Sequence, residues 1–348
     1  MSPEGRAVYS GAERCAKGSI MLASPLQFPK ENPPGYVAIE GEPRFDPDRH
    51  LALESPRQRW TLADFGYGPE DIRNCPSPVA VAGPFRVLSA EGVAATRSVA
   101  LALRAMRQTS DRTATYVAGG VYRSQFMRDL CSCPRILAFL SDIAGCELIT
   151  HSMPSLQLYI NYAPEDVSKA VDTWHVDSIG FDYVLLLNDP STFSGGQFQF
   201  FRGTSQEAAQ LLGTDSVGLT EANARDLPSD RVTSMSFPDA GYAIFQQGNM
   251  VVHRATRLLY RAERITVVPG YVARDLRFPD PTRDQVTSWG EPGQVAEFAR
   301  HKAWLARGKL DRMIDQLSLA AAPKELCESL RRSIADVTDA LRVLEKLK

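Results

Sequence analysis

The sequence predicts an α+β chain built on an antiparallel β-sandwich or barrel, the jelly-roll architecture included. Three observations carry that expectation. Between Cys146 and Val272 the apolar pattern has strand-like alternation in short runs broken by Pro, Gly, Asn and Asp. No crossover helix separates these runs, which argues against a parallel sheet. The segments before and after this region instead carry helical patterns.

Twelve of the 23 prolines lie at or before Pro84. Such density disfavours long helices and central strands, so residues 1–84 read as an irregular, Pro-rich N-terminal arm. Ser89 is a candidate N-cap for a helix running to about Arg107, with Val93, Leu101 and Ala105 apolar and Arg97 and Arg104 toward water. A strand around TYVAGGVY follows, then helix from about Ser124 to Ala144 with an interruption at Pro134. The candidate strands of the central region are SLQLYINY, FDYVLLL, GQFQFF, VTSMSF, YAIFQQ, MVVHRAT and RITVVPGYV. In SLQLYINY, alternation puts Gln157, Tyr159 and Asn161 on one polar face and Leu156, Leu158 and Ile160 on the other. That strand is expected to line a cavity and to pack helices on its back.

Residues 203–230 interrupt the strands with helical and polar character and read as a surface cover over the site. The core domain is therefore placed at 85–278. Residues 279–348 read as C-terminal helices. There Leu330, Ile334, Val337, Leu341 and Leu344 form a short heptad seam, expected to pack on the same domain, with a homodimer contact as the alternative.

Charge and composition narrow the partners. Thirty-nine Lys and Arg against 41 Asp and Glu leave a net charge of -2, so there is no global basic field for nucleic acid or an anionic membrane. No apolar stretch approaches a membrane span, and the first residues lack the apolar core of a signal peptide, so a cytoplasmic address is the expectation. Six scattered cysteines without CxxC spacing read as reduced, mostly buried thiols.

The five histidines are more informative. His175 and Asp177, two apart in TWHVDS, point to one face if they lie on a strand or at its end, where an imidazole nitrogen and a carboxylate oxygen can share a metal ion. Alone this is weak, since roughly 0.6 such pairs arise by chance in this composition. The context adds His253 in NMVVHRATR, 78 residues on, and Arg264 and Thr266 in ERITVVPGYV. Two imidazoles and one carboxylate on one face form a facial triad that leaves coordination positions open for chemistry. A guanidinium beside a hydroxyl suits a carboxylate ligand.

The order HVD, distant His, Arg-x-Thr resembles the iron(II)- and 2-oxoglutarate-dependent dioxygenase superfamily over about Phe85 to Val272. GPFRVLSAEGVAATR and CPRILAFLSDIAG before WHVDS are most similar to the phytanoyl-CoA-hydroxylase-like branch, and GGQFQFF to the glycine-containing middle strand. The resemblance implies a double-stranded β-helix, a cupin-like jelly roll. It implies Fe(II) held by His175, Asp177 and His253 as catalytic metal ligands, with 2-oxoglutarate and O2 as cosubstrates. Arg264 and Thr266 match the residues for the distal carboxylate of 2-oxoglutarate, with Arg257 and Arg261 as rivals for the arginine. Gln157, Tyr159 and Asn161 are candidate cofactor contacts. The implied reaction is oxidation, most simply hydroxylation, of an unactivated C–H bond in a small metabolite, yielding succinate and CO2. Asp177 argues against halogenation, since related halogenases have Gly or Ala there; desaturation, cyclisation and epimerisation stay open.

Two other readings remain from sequence. One is a cupin-type metalloenzyme that does not use 2-oxoglutarate, and the other is a non-catalytic binding module of the same fold. His50, His151 and His301 lack a ligand partner at short spacing and read as surface or hydrogen-bonded histidines. Trp174 is read equally as pocket wall or core, and Arg123 as a surface ion pair.

Overall fold

A computed structural model describes residues 24–110, 112–214, 226–282 and 292–347. The strands are β1 (Gln58–Thr61), β2 (Val79–Arg86), β3 (Tyr116–Ala118), β4 (Leu148–Thr150), β5 (Tyr159–Tyr162), β6 (Ala170–His175) and β7 (Phe181–Leu186). They continue as β8 (Phe198–Phe201), β9 (Val232–Met235), β10 (Tyr242–Gln246), β11 (His253–Arg257), β12 (Ile265–Val268) and β13 (Gly270–Ala273). Among the described residues all pairings are antiparallel and form two sheets. The larger runs β1-β2-β10-β7-β12-β5-β3, with β13 joining β7 to β4, and the smaller runs β6-β11-β8-β9.

The helices are α1 (Pro47–His50), α2 (Pro69–Arg73), α3 (Ala90–Leu103), α4 (Gln125–Cys131), α5 (Pro134–Ala144), α6 (Ser205–Leu212), α7 (Gln294–Gln316) and α8 (Pro323–Glu345). Ser89 caps α3 as its sequence position suggests, its Oγ accepting from the Gly92 amide at 3.0 Å. The interruption at Pro134 separates α4 from α5, with Pro134 taking the first position of the new helix.

Alternation along the strands divides the interior. On β7, Phe181, Tyr183 and Leu185 join Phe85, Ile160, Phe245 and Val267 in the layer against α3, α4 and α5. On the opposite face, Leu186, Val81 and Ile244 meet Phe198, Phe200 and Met235 of the smaller sheet. The same inward face carries Tyr159 and Asn161 on β5 and Thr266 and Val268 on β12, and here the space between the sheets is a cavity instead of packed core. Fully burying each large apolar side chain in these layers contributes ~1.5–3 kcal/mol, so the sandwich is held from both sides.

Three expectations are corrected. The irregular arm ends well before residue 84, because β1 and β2 belong to the larger sheet and β2 lies between β1 and β10. Pro84 is accommodated there because the β2–β10 register shifts between Ala243 and Phe245, where no regular ladder bond is needed from position 84. The strand expected across SLQLYINY starts only at Tyr159, since Pro154 opens a turn of 3₁₀ helix through Leu156.

The third correction concerns α8. Its heptad seam does not pack on the domain: Leu330, Ile334, Val337 and Leu341 are exposed, while Ser333, Asp336, Ala340 and Val343 face inward. Small inward residues allow α8 to lie close to α7, and the pairs Lys309–Asp336 at 2.6 Å and Lys302–Asp339 at 3.5 Å set the two helices antiparallel. Ala340 and Val343 reach Phe298, Met153 and Leu156, so this hairpin backs one wall of the cavity. Among the described residues no helix is long and apolar enough to cross a membrane. The described cysteines are all free thiols, and Cys131 and Cys133 are buried.

Candidate metal centre

His175 ends β6 and His253 begins β11, and the two residues are direct partners in the β6–β11 register. Their rings lie 4.1 Å apart. Asp177, two residues past the strand end, reaches both: its Oδ1 is 3.4 Å from His175 Nε2 and its Oδ2 is 3.4 Å from His253 Nε2. One ligand atom from each of the three lies within 4.8 Å of the others.

Backbone carbonyls fix the tautomers. His175 Nδ1 lies 2.7 Å from Thr173 O and His253 Nδ1 lies 2.9 Å from Val251 O. A carbonyl only accepts, so each Nδ1 carries a proton, and both Nε2 atoms turn toward Asp177, that of His253 also accepting from Gln246 Nε2 at 2.9 Å. Burial and the neighbouring His175 push His253 down to about 4, which keeps that ring neutral and ligand-competent at ordinary pH. Burial raises the Asp177 carboxyl, but His253, His175 and Arg112 outweigh it and hold the group well below the usual carboxylate range.

A further acid, Asp182 on β7, is fully buried beside the triad. Gln246, its register partner on β10, donates from Nε2 to Asp182 Oδ1 at 3.0 Å and to Asp177 Oδ2 at 3.2 Å. Burial and the Asp177 carboxylate push Asp182 well above the usual carboxyl range. Gly248 is needed at this corner, because a Cβ there would lie 2.3 Å from Asp177 Oδ2 and 2.7 Å from Asp182 Oδ2.

The triad opens on a cavity between the sheets, lined by Arg112, Tyr159, Asn161, Asp172, Arg264 and Thr266 together with apolar side chains. Arg264, Thr266 and Val268 alternate into it from β12 and its leading residue, and Asn161 and Tyr159 sit opposite Thr266 and Val268 in the β5–β12 register. Arg264 is 1% exposed, and its Nε and Nη2 have no hydrogen-bond partner. Nη1 is 3.5 Å from Thr266 Oγ1. Burial pushes the guanidinium down to about 10. A cation held this far from water without a contacting carboxylate is costly unless a ligand anion supplies the missing acceptors. Gly196 makes room for it.

Of the residues singled out from sequence, the structure brings together His175, Asp177, His253, Arg264, Thr266, Tyr159 and Asn161 around one cavity. The rivals Arg257 and Arg261 are exposed and do not line it. Gln157 is a correction: the 3₁₀ turn rotates it out of strand parity, its Nε2 donates to His151 O at 2.6 Å, and it does not line the cavity. Trp174 packs with Phe201 and Leu212 in the interior and donates from Nε1 to Asp226, so it belongs to the core. Arg123 stacks over the Tyr36 ring at 4.4 Å instead of forming an ion pair.

The cover expected at 203–230 is described only in part. Its helix α6 packs through Ala208 and Leu212 on Phe201 and Trp174, and none of its described residues lines the cavity; residues 215–225 lie outside the described residues. Sequence reasoning did not single out Asp182, Gln246, Asp172 or Arg112. Asp182 had one signal, a single acid inside the apolar run FDYVLLL. Arg112 comes from a loop remote in sequence and sits at the cavity mouth, 3.6 Å from Asp172 and 3.8 Å from Asp177. His50, His151 and His301 are buried and hydrogen-bonded, not on the surface, and none lines the cavity.

No protein-family model matches the chain, and no curated protein matches it. Among solved structures it is similar to the α-ketoglutarate-dependent carbocyclase SnoK from nogalamycin biosynthesis, at 18% identity over 68% of this chain and 95% of that one, with a TM-score of 0.44. It is also similar to the epimerase SnoN in complex with Fe3+, α-ketoglutarate and nogalamycin RO, at 21% identity over 66% and 93%, TM-score 0.43. A prolyl-4-hydroxylase of Pseudomonas putida follows at 12% identity over 61% and 98%, TM-score 0.35. These relations are distant, and the reading of function rests on the side chains of the site.

Proposed function

We propose that this protein is an Fe(II)- and 2-oxoglutarate-dependent oxygenase with a double-stranded β-helix core, acting on a small metabolite in the cytoplasm. The observation that carries the reading is the pairing of a metal-ready His175–Asp177–His253 face with a buried, under-satisfied Arg264 in one cavity. A metalloenzyme that does without 2-oxoglutarate leaves the Arg264 guanidinium without acceptors, and a binding module gives no reason for three converging ligand atoms. Near-neutral charge and a triad set in a cavity between the sheets support a metabolite over nucleic acid.

The residues present fit both groups. His175 and His253 turn their Nε2 atoms toward Asp177, which offers an ionised carboxylate, and the His253 lone pair, which accepts from Gln246 Nε2 at 2.9 Å, would pass to the metal; this is the donor set suited to a ferrous ion with open positions. Ferrous iron with 2-oxoglutarate and O2 supplies the oxidising power to attack an unactivated C–H bond, with 2-oxoglutarate leaving as succinate and CO2.

The chain's own contribution is positioning. Thr173 O and Val251 O orient the two imidazoles, while Gln246 and Asp182 hold the Asp177 carboxylate in place. Arg264 and Thr266 receive the distal carboxylate of 2-oxoglutarate, with Asn161 and Tyr159 on the neighbouring strand. Val184, Phe198 and Val268 are apolar lining that limits water at the centre. Hydroxylation is the simplest outcome, and epimerisation or ring closure uses the same positioned groups.

Anaerobic titration tests the reading. Ferrous iron plus 2-oxoglutarate should give a visible charge-transfer absorption that is lost in His175→Ala and weakened in Arg264→Gln. Iron-loaded, folded protein that never develops the absorption would overturn it. Screening small metabolites for stimulated succinate release then identifies the substrate.

A further inference from the structure

The aliphatic row of α8 lies on a surface that the described chain does not cover. Leu330, Ile334, Val337 and Leu341 are 47%, 51%, 39% and 53% exposed. They follow the alternating four-three spacing of coiled-coil core positions, and Leu344 continues it. No charged residue interrupts the row.

α7 extends the same surface. The cleft lined by Lys309, Arg312, Arg332 and Asp339 occupies one flank of the α7–α8 hairpin. At about 100° per residue, the α8 row falls on the other flank, and so do Leu310 and Ile314 of α7, which are 36% and 73% exposed. The Lys309–Asp336 pair sets the levels, so that Leu310 stands beside Ile334 and Ile314 beside Leu330. The result is a two-helix apolar face, where an isolated surface leucine would need no explanation.

We propose that a second copy of this chain covers that face, with α8 packed antiparallel on the partner's α8 across a two-fold axis and the two α7 helices completing a four-helix bundle. A two-fold interface must be complementary to itself, and a heptad row on an antiparallel pair has that property. In the register that sets Val337 against the partner's Leu341, Ile334 meets the partner's Leu344, and Arg331 at one edge of the row stands beside the partner's Glu345. The reciprocal contact repeats it, and Thr338 falls near the axis. This charge match selects a second copy as the occupant. The edge carries both signs, unlike the one-sided basic flank of a membrane-binding helix.

The dimer is independent of the chemistry proposed for the cavity. Its test is the mass of the full-length protein in solution at tens of micromolar, by sedimentation or light scattering. The wild type should be a dimer. Leu341→Glu buries an unpaired charge twice in each dimer and should weaken association by about 100-fold or more, to a monomer of unchanged circular dichroism. Arg331→Glu and Glu345→Arg should each weaken association, and the double variant should restore it. A monomeric wild type, a dimer indifferent to Leu341→Glu, or a charge-swapped pair no better than its singles would overturn the proposal.

Discussion

Gly196 sits against the stem of Arg264: a Cβ at residue 196 would lie 2.7 Å from Arg264 Cδ and 2.8 Å from its Nε. The glycine also has φ of +62°, a left-handed conformation that a side chain resists. The arginine that faces the cavity therefore owes its placement to a residue on the other sheet's approach. Gly196→Ala should displace the guanidinium, raising the concentration of 2-oxoglutarate needed for half-saturation by about tenfold, since ~1.4 kcal/mol suffices for that factor. Metal binding should be unchanged. Equal 2-oxoglutarate affinity in the variant would show that Arg264 tolerates the shift.

Arg264 itself should be a liability to the ligand-free fold. Replacing a buried, under-satisfied cation by an apolar side chain of similar length stabilises by ~1–3 kcal/mol. Arg264→Met should accordingly melt at higher temperature than the wild type without ligand, and should lose the thermal shift that 2-oxoglutarate gives the wild type. If Arg264→Met is destabilised in the absence of ligand, the guanidinium has acceptors that the cavity geometry does not contain.

Asp182 and Gln246 act through Asp177. Removing the carboxyl group in Asp182→Ala leaves the Gln246 amide with less to hold it and frees Asp177 to rotate. Groups that orient metal ligands typically change affinity by about 10–100-fold. Calorimetric titration of ferrous or manganous ion should register that loss while the secondary structure stays intact; unaltered affinity would reduce Asp182 to a packing role.

His151 makes stability depend on pH. It is fully buried, its Nδ1 accepts from the Met153 amide at 3.1 Å, and its Nε2 faces Thr282 Oγ1 at 3.1 Å. Burial, with His301 nearby, pushes it down to about 3. Its unfolded value is about 6.5, so between these limits the unfolded chain binds a proton that the folded chain does not. Stability is therefore full above about 6.5 and falls as the pH drops toward 3, by up to ~1.4 kcal/mol per unit from this group. Denaturant unfolding at several pH values should give a shallower acid loss in His151→Gln than in the wild type, and parallel curves would refute the assignment.

The site was legible in sequence to the extent that strand parity governs it. His175 and Asp177 straddle a strand end, and Arg264 and Thr266 keep the alternation of β12, so spacing along the chain predicted shared faces. Gln157 departed because the turn begun by Pro154 breaks parity just before β5. Arg112 reaches the cavity from a loop distant in sequence, and Asp182 comes beside Asp177 only through the β7–β10 pairing, which no local pattern encodes; Asp172 shares β6 with His175 but stands three residues away, out of strand parity with it. The α8 seam was recognisable as a seam, but its direction depended on which neighbouring positions were small enough to approach α7.

The attachment of Asp177 has a mechanical meaning. His175 and His253 belong to the smaller sheet, while Asp177 is tied through Gln246 and Asp182 to β10 and β7 of the larger one. An ion bound by all three would rivet one sheet to the other. Sliding of the sheets would then be resisted at the open end of the sandwich, where aromatic packing gives way to cavity, and the metal would serve as a fastener of the scaffold in addition to its chemistry.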